Sequence, residues 1–281
     1  MADNNKQIKF EKNLITEYFI CGSIDKVFQK HHHSIPISFA SYARLLSKFG
    51  VIKSAGPNSK ISESLYILTL LANYKIPLEK IYHRFAPHLL QVSTNTLHRI
   101  LHYTRLGLTR RQGTALIITT PKLKNRILIG NDISLSNTSL GRKGDLSLPM
   151  GHSKVGESIK DSITRVLQNE VFTDMVVNQQ FPYSIIPEHN KPIMFINITD
   201  IKVAVYHIEI PSRLNHFSSF KLSNLKFIDY EAIQNTKNVR AGVKEIISNY
   251  IKLKGNHNEE VLVLDSDLNN NLYALAQEPT E

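Results

Sequence analysis

Residues 151–170 read GHSKVGESIKDSITRVLQNE, and how this stretch is parsed decides the fold. It continues from LSLPMGH (146–152), a short apolar run that predicts a strand entering a loop, and its second half reads as a helix. On that helix positions 166, 169 and 170 are spaced i, i+3, i+4 and share one face. The face carries Val166, Asn169 and Glu170: an apolar chain, a neutral amide and one carboxylate.

Working outward, TALIIT (114–119) and RILIG (126–130) are β-branched runs suited to buried strands, separated by the turn residues Pro121, Lys122 and Asn125. IMFINI (193–198) and VAVYHIEI (203–210) predict two more strands. A late helix is expected over 239–252, with Val243, Ile246, Ile247, Tyr250 and Ile251 as an apolar stripe facing the core. The tail EEVLVLDSDLNNNLYALA (259–276) places Asp265, Asp267, Asn269 and Asn271 at the opening spacing of a calcium loop. Asn270 stands where that loop needs glycine and Ala276 where it needs a bidentate glutamate, so a hairpin of VLVL and LYALA around a polar turn is expected instead.

The first 112 residues have a different character. They hold 16 Lys and Arg against 6 Asp and Glu, whereas the rest balances at 18 against 18, so the entire net charge of +10 belongs to the first segment. Leu14, Ile15, Tyr18 and Phe19 form one helical face. Ser23 can cap a short helix carrying Ile24, Val27 and Phe28, and Ser38 a third with Phe39, Tyr42, Leu45, Leu46 and Phe49, ended by Gly50. The pattern repeats with Leu65, Leu68, Leu71 and Ala72; with Pro77 ahead of Leu78, Ile81, Tyr82 and Phe85; and with Leu97, Ile100 and Leu101 behind Ser93, Thr94, Asn95 and Thr96.

Two such three-helix units in tandem read as helix-turn-helix modules, each with a third helix whose first turns can reach base edges in a major groove. The candidate DNA contacts are Ser41, Arg44 and Lys48 in the first unit and Thr94, Asn95, Thr96 and Arg99 in the second. Asn and Arg have the bidentate geometry for adenine and guanine. The run His31, His32, His33 lies between helices without Cys or acidic neighbours and reads as a polar loop. His98 and His102 share a helix face but lack the glutamate of a zinc protease motif, which leaves them as partly buried or phosphate-facing side chains.

The central stretch resembles the box of the Nudix family, G-x5-E-x7-R-E-U-x-E-E with U apolar, on Gly151, Glu157, Arg165, Leu167 and Glu170. The resemblance implies an α/β/α sandwich with a mixed sheet, giving an α+β chain with a helical N-terminal region. It also implies that Gly151 lets the loop turn, that Glu157 and Arg165 tie loop to helix, and that box glutamates bind magnesium. Val166 and Asn169 replace two of those three glutamates, so Glu170 is the one candidate catalytic and metal-binding residue of the helix, with Asp161 or Glu188 as outside contributors. Magnesium favours carboxylate oxygens, and the expectation is an ion pair between Glu157 and Arg165, a solvated Glu170 and no hydrolysis. The alternative is a magnesium-dependent pyrophosphohydrolase acting on a nucleoside diphosphate derivative.

The expected organisation is a first helix-turn-helix unit over 1–58, a second over 59–106, a linker over 107–113, a Nudix-like domain over 114–255 and a hairpin or tail over 256–281. In the linker Arg110 and Arg111 can touch a nucleic-acid backbone or stand solvated. The expected partners are DNA and a nucleotide-type small molecule, with a homodimer through the Nudix-like domain as the other use of that fold; magnesium is the cofactor if the box is active. A mobile-element accessory role finds no acidic triad or serine nucleophile motif in support. One cysteine, Cys21, excludes an intramolecular disulfide and a Cys-based zinc site. No run approaches the length of a membrane span and the start is too polar for a signal peptide, so no membrane partner and a cytoplasmic location are expected.

Overall fold

The computed structural model describes residues 2–54, 94–106, 111–123, 125–134, 140–188, 190–255 and 261–275. Most of the second helix-turn-helix unit, residues 59–93, lies outside the described residues.

At the centre is a five-stranded mixed sheet. Strand β1 (Arg111–Thr119) pairs in parallel with β6 (Ile201–Glu209) and antiparallel with β4 (Met150–His152); β5 (Met194–Ile198) pairs antiparallel with β6 and in parallel with β8 (Leu262–Asp265). A second sheet joins β2 (Arg126–Asp132) to β3 (Leu146–Ser147) and β7 (Leu222–Asp229). Strand β1 is buried from Gly113 to Thr119 because both faces of the sheet are covered. Its side chains alternate between two cores: Leu116 and Ile118 face one, Ala115 and Ile117 the other.

On the first face lies α5 (Ile159–Glu170), followed by α6 (Thr173–Val177); on the second lie α7 (Tyr230–Asn235) and α8 (Val243–Gly255). The α+β fold with a mixed sheet between helices is therefore as expected. Val243, Ile246, Ile247 and Tyr250 of α8 are core residues, while Ile251 is 40% exposed and drops out of the predicted stripe.

The helical N-terminal region is also present. Helix α1 (Ala2–Cys21) ends at Gly22, α2 (Ile24–Lys30) is capped by Ser23, and α3 (Phe39–Lys48) by Ser38, as the sequence indicated. These helices do not keep a core to themselves. Leu14, Ile15, Tyr18, Tyr42, Leu46 and Val51 belong to the same apolar cluster as Ile163, Val166 and Leu167 of α5. The backbone seals the joint: Ile52 N–H donates to Gln168 Oε1 at 2.9 Å, and Gln168 Nε2 donates to the Gly50 carbonyl at 2.8 Å. The consequence for α5 is burial on every side from Ser162 to Glu170.

Two expectations are corrected. Residues 111–113 are not linker but the start of β1, because Arg111 pairs with Ile201 and its N–H reaches the Asp200 carbonyl. Residues 261–275 form no hairpin: β8 joins the edge of the sheet and helix α9 (Asp267–Leu275) follows. Ser266 starts that helix by accepting from Asn269 N–H, and buried Asn269 bonds both the N–H and the carbonyl of Thr199, so the polar residues that read as a turn are a helix start docked on the β5–β6 turn. Helix α4 (Thr94–Arg105) approaches α9. No described helix is long and apolar enough to cross a membrane.

Candidate ligand site

The loop from β4 to α5 is fixed by a buried ion pair. Arg165 donates from Nε to Glu157 Oε1 at 2.9 Å and from Nη2 to Oε2 at 3.0 Å, a two-pronged contact in which both side chains are 5% exposed. Glu157 also accepts from Lys154 N–H at 3.1 Å. Burial pushes its carboxyl up, but the Arg165 hydrogen bond and charge outweigh it and hold the group below its ordinary value. Beside the pair, Thr114, Ser153 and Ser162 join their hydroxyls in a closed triangle of 2.6–2.9 Å.

The box glycine does not do what was expected of it. Gly151 sits within β4 opposite Thr114 with no left-handed φ, and a Cβ there would lie in ordinary contact, 3.4 Å from Arg165 Nη1. The turn belongs to Gly156, whose φ of +75° only glycine adopts without strain. Leu167 is fully buried in the core.

Glu170 is not solvated. It is 4% exposed, enclosed on the side of Met150 and Lys221. Its Oε1 lies 3.7 Å from Lys221 Nζ, and Oε2 accepts weakly from Met150 N–H at 3.5 Å. Burial raises its pKa, opposed by the charges of Lys221 and Arg240, with Asp132 raising it further. Of its partners on the helix face, Val166 is 1% exposed and offers no donor atom, and Asn169 donates its amide to the Arg165 carbonyl at 2.6 Å. Asp161 and Glu188 are exposed, and no group of three or more His, Cys, Asp or Glu gathers among the described residues. These residues do not fit a magnesium ion, which is held by at least one carboxylate free to ligate it, because the one carboxylate left on the box helix is turned to Lys221 and the Met150 N–H.

Cations stand there instead. Arg240 donates from Nη1 to Asp132 Oδ2 at 2.8 Å, and Asp132 Oδ1 accepts from both the N–H and the hydroxyl of Ser134. Arg240 lines a cavity with Gly113, Thr114, Gly151 and His152, closed on its apolar side by residues such as Ile198 and Val203. Its Nε is buried with no hydrogen-bond partner. An unmet buried donor costs about 1–3 kcal/mol, more when charged, so this arrangement favours a ligand that supplies an acceptor. Burial, together with the charges of Arg111, Arg240, Arg165 and Lys221, pushes the pKa of His152 down to about 4, so the imidazole faces the cavity neutral. Asp132, His152, Lys221 and Arg240 were all missed in the sequence; Asp132 and Arg240 are 108 residues apart and no local motif joins them.

The DNA-contact candidates are partly placed. Arg44 and Lys48 are exposed on α3, but Lys48 is paired with Glu11 at 2.6 Å, and Ser41 is tied to the Ser38 cap. On α4, Asn95 and Arg99 are exposed, as are His98 and His102; Thr94 and Thr96 lie in its first turn. The two histidines are thus not partly buried, and the His102 ring lies tilted beside that of Tyr103, 5.7 Å between centroids.

No family model matches this chain, and no curated protein matches it. About half of it is similar in structure to Nudix hydrolases. The MutT protein from Methanosarcina mazei Go1 is 14% identical over 52% of this chain and 96% of its own, with a TM-score of 0.39. A NUDIX-family hydrolase from Clostridium perfringens is 15% identical over 52% and 99%, with a TM-score of 0.35. An Ap4A hydrolase from C. elegans is 12% identical over 52% and 98%, with a TM-score of 0.37.

Proposed function

We propose that this chain is a DNA-binding regulator whose Nudix-like domain binds a nucleotide-type ligand without hydrolysing it. The observation that carries the reading is the state of the box helix: Asn169 and Glu170 are committed to protein partners, Val166 to the core, and the nearby carboxylates are neutralised by Lys221 and Arg240. A pocket that keeps the box loop but lacks a ligand set for metal can bind such a ligand without turnover. The DNA half of the reading is supported by the uneven charge and by the exposed Arg44, Asn95 and Arg99.

The test is a screen of the full chain with magnesium or manganese against nucleoside diphosphate derivatives, beside Glu170→Gln. The expected result is no turnover. Turnover abolished by Glu170→Gln overturns the reading in favour of a pyrophosphohydrolase. In parallel, the affinity of the full chain for duplex DNA should fall steeply as salt rises, and a flat dependence or no binding removes the regulator half.

A further inference from the structure

We infer that the pocket binds the phosphate of its ligand directly through Arg240, with no divalent cation between them. The inference rests on the proposal of a nucleotide-type ligand and adds how the phosphate is held.

Arg240 is placed before any ligand arrives. Its N–H donates to the Leu146 carbonyl at 2.9 Å, the next N–H, of Ala241, donates to the Leu140 carbonyl at 2.9 Å, and its own carbonyl accepts from Val243. Gly242, at φ +82°, brings the backbone so close to Ile198 that a Cβ would meet its Cδ1 at 2.3 Å. The guanidinium is then aimed by Asp132, whose other oxygen is spent on Ser134, so that carboxylate cannot swing to serve a second donor. The side chain lines the cavity and is 14% exposed, while Nε lies buried behind that surface without a partner.

The carboxylates nearby are answered within the protein: Asp132 by Arg240, and Glu170 by Lys221. A metal ion would have neutralised such acids and bridged to phosphate, and here side-chain cations hold the first of those roles. Arg111, Arg165 and Lys221 lie behind this lining, close enough for their charge to act on His152. An oxyanion is the group that completes this arrangement, and the planar guanidinium suits a phosphate oxygen. The cavity, about 50 Å³ and walled on its other side by Ile198, Ile201 and Val203, has room for a phosphate group, with the rest of the ligand outside it.

The experiment is calorimetric titration of the full chain with ADP, GDP, CDP and UDP and the matching nucleosides, each in excess EDTA and again with magnesium. The variants are Arg240→Gln and the double change Asp132→Asn with Arg240→Gln, which leaves no lone buried carboxylate; a cooperative melt of the double variant confirms that it folds. At least one diphosphate should bind equally well in EDTA and in magnesium. The double variant should weaken it by about 10- to 100-fold, the loss of one charge-assisted hydrogen bond, with a smaller change for the nucleoside. Binding that requires magnesium overturns the inference and leaves the nucleotide proposal standing. So does a double variant that binds the diphosphate as the natural chain does. If no nucleotide binds under either condition, both fall.

Discussion

Replacing Glu157 by leucine tests whether the Glu157–Arg165 pair is a structural clamp on the box loop. The change removes two hydrogen bonds to Arg165 and the acceptor of Lys154 N–H, and leaves a guanidinium that is 4% exposed without its counter-charge. Its contact with Ser162 is a long one, 3.3 Å from Nη2 to Oγ, which cannot replace a carboxylate. Breaking a buried pair from one side costs about 3–5 kcal/mol, against about 0–1 kcal/mol for an exposed pair. For a chain of this size that corresponds to a fall in melting temperature of about 6–10 °C. Glu157→Leu with Arg165→Met should recover most of the loss, because no charge is then left buried. The carboxyl sits below its ordinary value when folded, so its contribution is complete above the unfolded value and fades as the pH falls through the folded one. The gap between the natural chain and Glu157→Leu should accordingly be widest near neutrality and close below about pH 4. Urea melts at several pH values provide the measurement. A loss under about 1 kcal/mol at pH 7, or a double change as costly as the sum of the singles, refutes the clamp.

Other perturbations follow from the same packing. Val166→Glu, which restores one acid of the box, should not restore turnover; the position is 1% exposed, and an unpaired carboxylate there should lower stability by several kcal/mol, read by melts alongside the magnesium screen. Gly242→Ala combines a left-handed φ of +82° with a Cβ 2.3 Å from Ile198 Cδ1, and should cost about 2–4 kcal/mol in a urea melt. Asn269→Ala leaves the Thr199 peptide without partners on either side, and should loosen α9, seen as faster amide exchange over 267–275 than elsewhere. Arg44→Ala and Arg99→Ala should each reduce the salt slope of DNA binding by about one if the side chain meets a phosphate, and an unchanged slope removes that residue from the interface.

Where pattern and structure agree, the reason is local. Strand β1 could be read because a run covered on both faces must be apolar throughout, and the caps at Ser23 and Ser38 because a cap needs only three residues to act. The pair of Glu157 and Arg165 belongs to the same class: eight positions apart, it is set by one loop and one helix. The tail failed for an instructive reason. Its Asn and Asp residues are as suited to a helix start as to a turn, and the choice was made by the edge of β5 and the Thr199 peptide, some 70 positions away.

The same distinction explains Glu170, whose environment is set by three remote segments. Position 170 is defined by the box, yet whether its carboxylate meets water, metal or protein depends on Asp132 at the end of β2, on Lys221 ahead of β7, and on Arg240 ahead of α8. None of these is visible from the helix. The missing acids at 166 and 169 and the presence of Arg240 are then two parts of one arrangement: a helix face closed by apolar contact and by its own amide, beside a cavity lined by Arg240. Adding acids back to the helix would therefore place them in the core and against internal cations, which is why restoring the box pattern is expected to reduce stability without producing a hydrolase.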